Sequence, residues 1–357
     1  MRVLFDEQIF LLQKRGGISR YFVELIRAFA TSPELGIEPI LAFKATSNDF
    51  LQEIATELDL GIRSRETSTP QRFARSSFGT SFALPKVDLI HHTFYSKFFW
   101  TPRFKGPRVS THYDMIPEMF GESSFGVNSH LSKLWYYKNV DRILAISNSS
   151  KTDLNNIWPE VKTPISTTHL GSPSKILNAK PRINGYVIYV GARSGYKDAL
   201  TLLRAFAATP ESLRTRLDFV GGGRFTETEL QVIDQLGISR LVSQLDLTDA
   251  ELEVAYSSAH VFVCTSKCEG FGLPVLEAMN YGCRTILSDA PALIEVAGDC
   301  ADYFKAGDVT SLASVMTSAL SEKSDSNPYL ELGIRRAGQF SWMETAKLTA
   351  KVYQTLS

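Results

Sequence analysis

At 357 residues, 44% hydrophobic and 21% charged, the chain has the composition of a soluble globular protein with enough length for two cores. Lys/Arg and Asp/Glu balance at 38 each, which excludes a molecule whose whole surface is tuned to nucleic acid. Within that neutral total, residues 1–180 hold 22 Lys/Arg against 17 Asp/Glu and the remainder 16 against 21. The basic front half would suit an anionic membrane surface, although a difference of this size also arises without function.

No apolar run approaches the ~18–20 residues needed to span a bilayer. The opening MRVLFDEQIF has acids where a signal peptide carries its apolar core, so a cytoplasmic protein is expected. Cys264, Cys268, Cys283 and Cys300 do not repeat as CxxC pairs, and predict small buried thiols in a reducing compartment.

In chain order, RVLF predicts a first short strand, followed by the glycine pair Gly16-Gly17 and by ISRYFVELIRAFA at helical spacing. The runs IEPILAF, VDLIHHTF, PRVSTHYDM and DRILAIS then alternate with helical or loop segments, as in a parallel sheet with crossover helices. Residues 62–82, rich in Ser, Thr and Arg, read as a surface excursion. The pattern restarts with GYVIYVG (185–191) and the amphipathic DALTLLRAFAA, and RLDFVGGG, AHVFVCTS and CRTILSD predict further strands. Two βα series predict an α/β protein of two Rossmann-like domains, joined near 174–185 and facing a cleft where ligands of such sheets collect. An amphipathic helix, FSWMETAKLTAKVYQTLS, closes the chain.

The chemistry concentrates in EGFGLPVLEAMNYG. Glu269 falls in the loop at the carboxyl end of a predicted strand, and Glu277 one turn into a helix that Pro274 can start and Gly282 can end. Between them, Gly270, Phe271, Gly272 and Leu273 offer backbone N–H groups at a helix N-terminus, which favours phosphate or sugar oxygens. A capping carboxylate plus a surface glutamate fits the pattern equally well. No His or Asp stands at metal-ligand spacing, so no metal is expected. In VGARSGYKD, Arg193 and Lys197 beside a glycine turn suit a diphosphate, or are solvated helix-start charges. Gly16 and Gly17 would let a phosphate approach the first helix, with Arg20 one turn on, or simply make a tight turn. His112 and Asp114 follow the PRVS run, and His91-His92 follow VDLI; His92 could flank an acceptor, and at least one of that tandem should be structural. The tri-glycine DFVGGGRF lacks the third glycine of a dinucleotide fingerprint, so a dehydrogenase is not expected. YSKFFWTPRFKGPR (95–108) interleaves aromatics with Lys97, Arg103, Lys105 and Arg108, as a membrane- or phosphate-docking strip or as core aromatics with solvated charges.

Residues 249–308, which contain EGFGLPVLEAMNYG, resemble the retaining nucleotide-sugar glycosyltransferases of family four, group 1, of the GT-B fold and mannosyltransferase-like. Weaker matches run through GGISRYFVELIRAF, STHYDMIPE, ILAISNSSKTDL, HLGSP and VGARSGYKDALTLLRAF, so the likeness covers nearly the whole chain. It implies an acceptor-binding domain at 1–178, a donor-binding domain at 179–340, and a last helix, 341–357, packed back on the first. It also implies Glu269 on the donor sugar, Glu277 on the ribose, the Phe271–Leu273 amides facing sugar or diphosphate, Lys197 and Arg193 on the diphosphate, and His112 touching the sugar. The family's usual arginine directly follows the glycine, where Ala192 stands here, so Arg193 departs from the pattern. The reaction implied is transfer of a hexosyl unit from GDP-mannose or a UDP-hexose to a glycan or lipid-linked acceptor, metal-free, with no further cofactor. A nucleotide-sugar epimerase or a silent nucleotide-sugar-binding protein would share the fold.

Overall fold

The computed structural model describes residues 1–64, 85–121, 129–172, 185–322 and 327–356. Most of the 62–82 excursion and nearly all of the 174–185 join lie outside the described residues. The chain forms two compact units, one of residues 1–171 with 342–357 and one of residues 172–341.

The first unit contains β1 (Arg2–Phe5), β2 (Glu38–Leu41), β3 (Ala45–Thr46), β4 (Arg63–Ser64), β5 (Leu89–His92), β6 (Arg108–His112), β7 (Arg142–Ala145) and β8 (Ile165–Thr167). Six of these make a parallel sheet in the order β2-β1-β5-β6-β7-β8, while β3 pairs with β4. Strands β1, β5 and β6 are buried along almost their whole length, which is why they read as unbroken runs rather than as alternation. Helix Gly17–Thr31 buries Tyr21, Phe22, Leu25, Ile26 and Phe29, the spacing of one helical face. Phe22 and Phe29 lie against Phe5 of β1, with ring centroids 6.1 and 6.4 Å away. Helix Trp342–Gln354 completes this unit: its Tyr353 packs on Phe29 and its Thr345 donates to the His169 carbonyl at 2.6 Å.

The second unit contains β9 (Val187–Val190), β10 (Leu217–Val220), β11 (Val242–Leu245), β12 (Val261–Cys264), β13 (Arg284–Ser288) and β14 (Asp302–Phe304). They form one parallel sheet in the order β11-β10-β9-β12-β13-β14. Val187, Phe219, Val263 and Ile286 of these strands share a core with Leu202 and Phe206 of helix Ala199–Ala208 and with Leu312 and Met316 of helix Val309–Ser321. Two helices of this unit start with capping boxes, Thr226 with Glu229 and Thr248 with Glu251, which satisfy their first amide donors.

Strand order locates the ligand end of each sheet. In an open parallel sheet, the crevice opens where successive crossovers leave in opposite directions. That point lies beyond the carboxyl ends of β1 and β5 in the first unit, and of β9 and β12 in the second.

Candidate functional site

The chain leaves β9 through Gly191, whose φ of 121° favours glycine, and turns through the short 3-10 helix Gly195–Lys197 into helix Ala199–Ala208. The chain leaves β12 through Thr265 and reaches Glu269 before helix Leu273–Asn280. Thr265 Oγ1 donates to the Lys197 carbonyl at 2.8 Å, and the Lys267 amide donates to the Tyr196 carbonyl at 2.7 Å. These bonds tie the two loops together across the switch point.

There Lys197 Nζ donates to Glu269 Oε1 at 2.6 Å, with side chains 21% and 13% exposed. Water therefore reaches the pair only partly, so the charges act on one another more strongly than at an open surface. Burial opposes the ammonium charge, yet Glu269 outweighs it and holds Lys197 protonated above the ordinary lysine range. Burial, reinforced by Glu269, pushes the neighbouring Cys264 thiol up to about 11, so it stays a neutral thiol near pH 7. All four cysteines are free; Cys268 and Cys283 are buried as expected, but Cys264 and Cys300 are only partly so.

After Glu269, the chain folds Phe271 into the core against Phe340 and reverses at Gly272, whose φ is 111°. A Cβ there would also lie 2.9 Å from Leu293 Cδ2, so the turn admits glycine alone. Leu273 begins the helix with Pro274 in its first turn. The second glutamate, Glu277, is nearly buried, and Tyr256 donates to its Oε2 at 3.4 Å. It is thus no surface glutamate.

Arg193 is placed differently from the diphosphate role expected of it. It is 6% exposed, and its Nε donates to Glu229 Oε1 at 2.7 Å. Nη1 donates to the Gly221 carbonyl at 2.8 Å, and Nη2 to the carbonyls of Gly223 and Arg224 at 2.9 and 2.8 Å. The guanidinium is committed to the tri-glycine loop, whereas Lys197 stands at the switch point of this sheet with the more exposed Lys267, which pairs with Asp198 at 3.2 Å. Sequence reading missed Glu229; the Thr-x-x-Glu of its capping box was the available signal.

The histidines of the first unit also depart from expectation. His112 is fully buried. Its Nε2 lies 3.0 Å from the Ser150 carbonyl, which can only accept, so Nε2 carries the hydrogen and Nδ1 accepts from the Tyr137 hydroxyl at 2.8 Å. Burial, with Lys133 adding to it, holds the ring well below the ordinary histidine range. With both nitrogens engaged, a direct sugar contact does not fit. His92 donates from Nδ1 to Asp6 Oδ2 at 2.8 Å and stacks on Trp100, so it is a core residue rather than an acceptor contact. His91 sits between Tyr353 Oη at 2.5 Å and Thr111 Oγ1 at 2.8 Å, and burial lowers it to about 3.

Asp6 was overlooked in the sequence, although an acid directly after the first strand is a usable signal. Besides His92, it accepts from Thr93 Oγ1 at 2.6 Å, the Thr93 amide at 3.1 Å and Gln8 Nε2 at 2.7 Å. Burial works against its charge, but these bonds, led by His92, keep the carboxylate below its ordinary range. Asp114 accepts from the Ile116 amide at 3.0 Å at the start of helix Ile116–Phe120. Gly16 and Gly17 open helix Gly17–Thr31, where Gln13 Oε1 accepts from the Ser19 amide at 3.0 Å. The Arg20 guanidinium lies over the Phe50 ring at 5.4 Å.

Residues 176–332 match the family described as Glycosyl transferases group 1. Among curated proteins, the chain is 27% identical over 230 residues to the O-antigen chain mannosyltransferase B of Escherichia coli, covering 60% of each. It is 29% identical over 224 residues to the MMP alpha-(1->4)-mannosyltransferase of Mycolicibacterium hassiacum, covering 61% of this chain and 54% of that protein. The match thus spans 60% and 54% of the length of these curated relatives, less than two thirds of each. Among solved structures it is similar to a sucrose-phosphate synthase from Thermosynechococcus elongatus, with a TM-score of 0.75, 17% identity, and coverage of 100% and 99%. It is also similar to Anabaena Alr3699/HepE, solved in complex with UDP and glucose, with a TM-score of 0.72 and 17% identity over the full length of both chains. These likenesses identify the fold as GT-B.

Proposed function

We propose that this chain, whose residues 176–332 form a group 1 glycosyl transferase domain, moves a hexosyl unit from a nucleoside-diphosphate sugar to an acceptor hydroxyl with the anomeric configuration kept. The observation that carries this reading is the partly exposed Lys197–Glu269 pair at the switch point of β9 and β12, inside the matched segment. The relatives' names favour mannose as the sugar, and thus GDP-mannose as donor, in the synthesis of a surface polysaccharide or lipid-linked glycan. A UDP-hexose is the second choice, favoured by the UDP in the Anabaena structure.

In this reading, Lys197 meets the diphosphate and stabilises the negative charge that grows as the glycosidic bond breaks. Its raised proton affinity keeps it cationic across the neutral range. Glu269 then exchanges part of its bond to Lys197 for hydroxyls of the donor sugar, positioning the ring and favouring positive charge at the anomeric carbon. Glu277 holds the ribose hydroxyls from the first turns of helix Leu273–Asn280. The acceptor attacks on the face the diphosphate leaves from, and the departing phosphate oxygen takes the acceptor's proton. Lys197 and helix N-termini meet the charge, so no metal is needed. Acceptor binding falls to the first unit. Delivery from an anionic membrane is supported by the exposed Phe98 beside the exposed Lys97, Arg103 and Lys105.

The test is a thermal-shift panel of GDP-, UDP- and ADP-sugars, followed by turnover of the best donor with and without chelator. One donor should stabilise the protein and be consumed slowly in either condition. Glu277→Ala should weaken nucleotide binding, while Glu269→Ala should mainly lower turnover. If no nucleotide shifts the melting temperature, the reading falls; a shift without turnover would mark a silent binder. Consumption of donor that leaves the sugar on the nucleotide would mark an epimerase.

A further inference from the structure

We propose that Arg193 is a positioning residue for Lys197: it bolts the turn after β9 to the glycine loop after β10, and thereby fixes where the lysine ammonium stands. Its four donated bonds, all 2.7–2.9 Å, reach the helix carboxylate Glu229 and three carbonyls of residues 221–224. A planar fork alone can satisfy that set, because the acceptors surround the guanidinium at fixed angles. The Phe225 ring covers it at 4.8 Å and itself rests on Phe219 of β10.

The loop is shaped for this occupant. Gly221, Gly222 and Gly223 have φ of 76°, 71° and 72°, a left-handed path that turns the Gly221 and Gly223 carbonyls toward the arginine. A Cβ on Gly222 would lie 2.8 Å from Arg193 Nη1 and 2.8 Å from the Gly191 carbonyl. The tri-glycine is thus explained by the arginine it encloses, without any ligand. Glu229 is held in turn, because its Oε2 accepts from the Thr226 amide and hydroxyl at 2.7 and 2.9 Å while Oε1 takes Arg193.

The connection to Lys197 is short. The Arg193 carbonyl accepts from the Ala199 amide at 3.3 Å, closing the turn that contains Lys197, and the Lys197 amide donates to the Ser194 carbonyl at 3.2 Å. Arg193 anchors one end of this turn; Thr265, bonded to the Lys197 carbonyl, anchors the other. Without the first anchor the turn keeps its sequence and charge but loses its fixed position.

The functional consequence rests on the donor-binding reading above, whereas the clamp itself does not, so the experiment has two arms. In the ligand-free arm, hydrogen exchange is followed in wild type, Arg193→Lys and Arg193→Met. Both variants should exchange about tenfold faster across 191–199 and 221–226, with β12 and β13 unchanged. Unchanged exchange in those loops would overturn the clamp. In the second arm, GDP and UDP are the probes. Arg193→Lys should weaken binding of the preferred one about tenfold, as Arg193→Met does, since lysine keeps the charge but not the fork. In a Lys197→Met background, either change should cost less than about twofold, as expected of residues acting as one unit. Wild-type affinity in Arg193→Lys, or additive losses in the double variants, would make Arg193 a direct phosphate ligand and sink its positioning role. Glu229→Gln, which removes only the partner's charge, should shift exchange and affinity the same way by about threefold, and covers the case in which the arginine variants do not fold. Failure of wild type to bind either nucleotide would count against the donor reading alone, and exchange would still decide the clamp.

Discussion

Two sheets of the same kind end here in opposite ways. Beyond β1 and β5, the switch point of the first unit is filled by its own side chains, with Asp6, His92, Gln8 and Thr93 bonded to one another and Asp6 and His92 only 3% and 1% exposed. Beyond β9 and β12, the second unit instead keeps Lys197 and Glu269 at 21% and 13% exposure. Both clusters pair an acid with a nitrogen base at hydrogen-bond distance. What separates them is the number of bonds each acid already makes. Asp6 accepts from three different side chains and two amides, so a ligand would have to break a saturated network. A carboxylate holding one ammonium within reach of water can exchange that partner for a substrate's hydroxyls. The two clusters thus differ less in the charges they hold than in the bonding capacity each leaves for a ligand.

That contrast can be broken by substitution. Lys197→Met should lower turnover roughly a thousandfold, about 4 kcal/mol of transition-state stabilisation, while stability falls by only about 1–2 kcal/mol, since water still reaches the Glu269 carboxylate left unpaired. Comparable losses of stability and activity would put this pair in the same class as Asp6. Asp6→Ala should do the reverse. It strands the His92 Nδ1–H and the Thr93 amide in the interior, costing about 3 kcal/mol in denaturant melts, and should leave nucleotide affinity within about twofold of wild type. A drop in nucleotide affinity at full stability would make the first switch point a ligand site after all.

The smallest expected effect is acid sensitivity. His91 binds its proton near pH 6.5 when unfolded but only near pH 3 when folded, because burial excludes the charge. Between those values the unfolded chain holds the extra proton, so stability falls as pH falls, by up to about 1.4 kcal/mol per unit from this residue. His91→Gln should remove that slope between pH 6 and 4 in urea melts, whatever it does to stability at pH 8. An unchanged slope would assign the acid sensitivity to His112, which burial depresses in the same sense.

The sheets were legible because strands buried on both faces must be apolar throughout, as in VIYV and VFVC, and the intervening helices repeat at helical spacing. The positions of Glu269 and Lys197 followed from the rule that loops at strand carboxyl ends bind ligands. Arg193 was illegible for a definite reason. In GARSG it reads as a solvated or ligand-facing cation, and its burial depends on carbonyls 28 to 31 residues further on and on Glu229. His112 is similar: its tautomer and neutrality come from Tyr137 and Ser150, 25 and 38 residues away. Local pattern reports which residue types stand at a strand end. It does not report how many of their bonds the rest of the fold has already taken.

Helix Trp342–Gln354 has a consequence for the order of events on the ribosome. The first unit draws its final element from the far end of the chain, with Tyr353 bonded to His91, while residues 172–341 form a unit made entirely earlier in synthesis. The sheet of the second unit can therefore close during translation, whereas the sheet translated first must wait, with Phe29 and His91 uncovered by Tyr353, until helix Trp342–Gln354 emerges. A chain released after residue 341 would present a protease-resistant second unit and a protease-sensitive first one, the reverse of N-to-C vectorial folding.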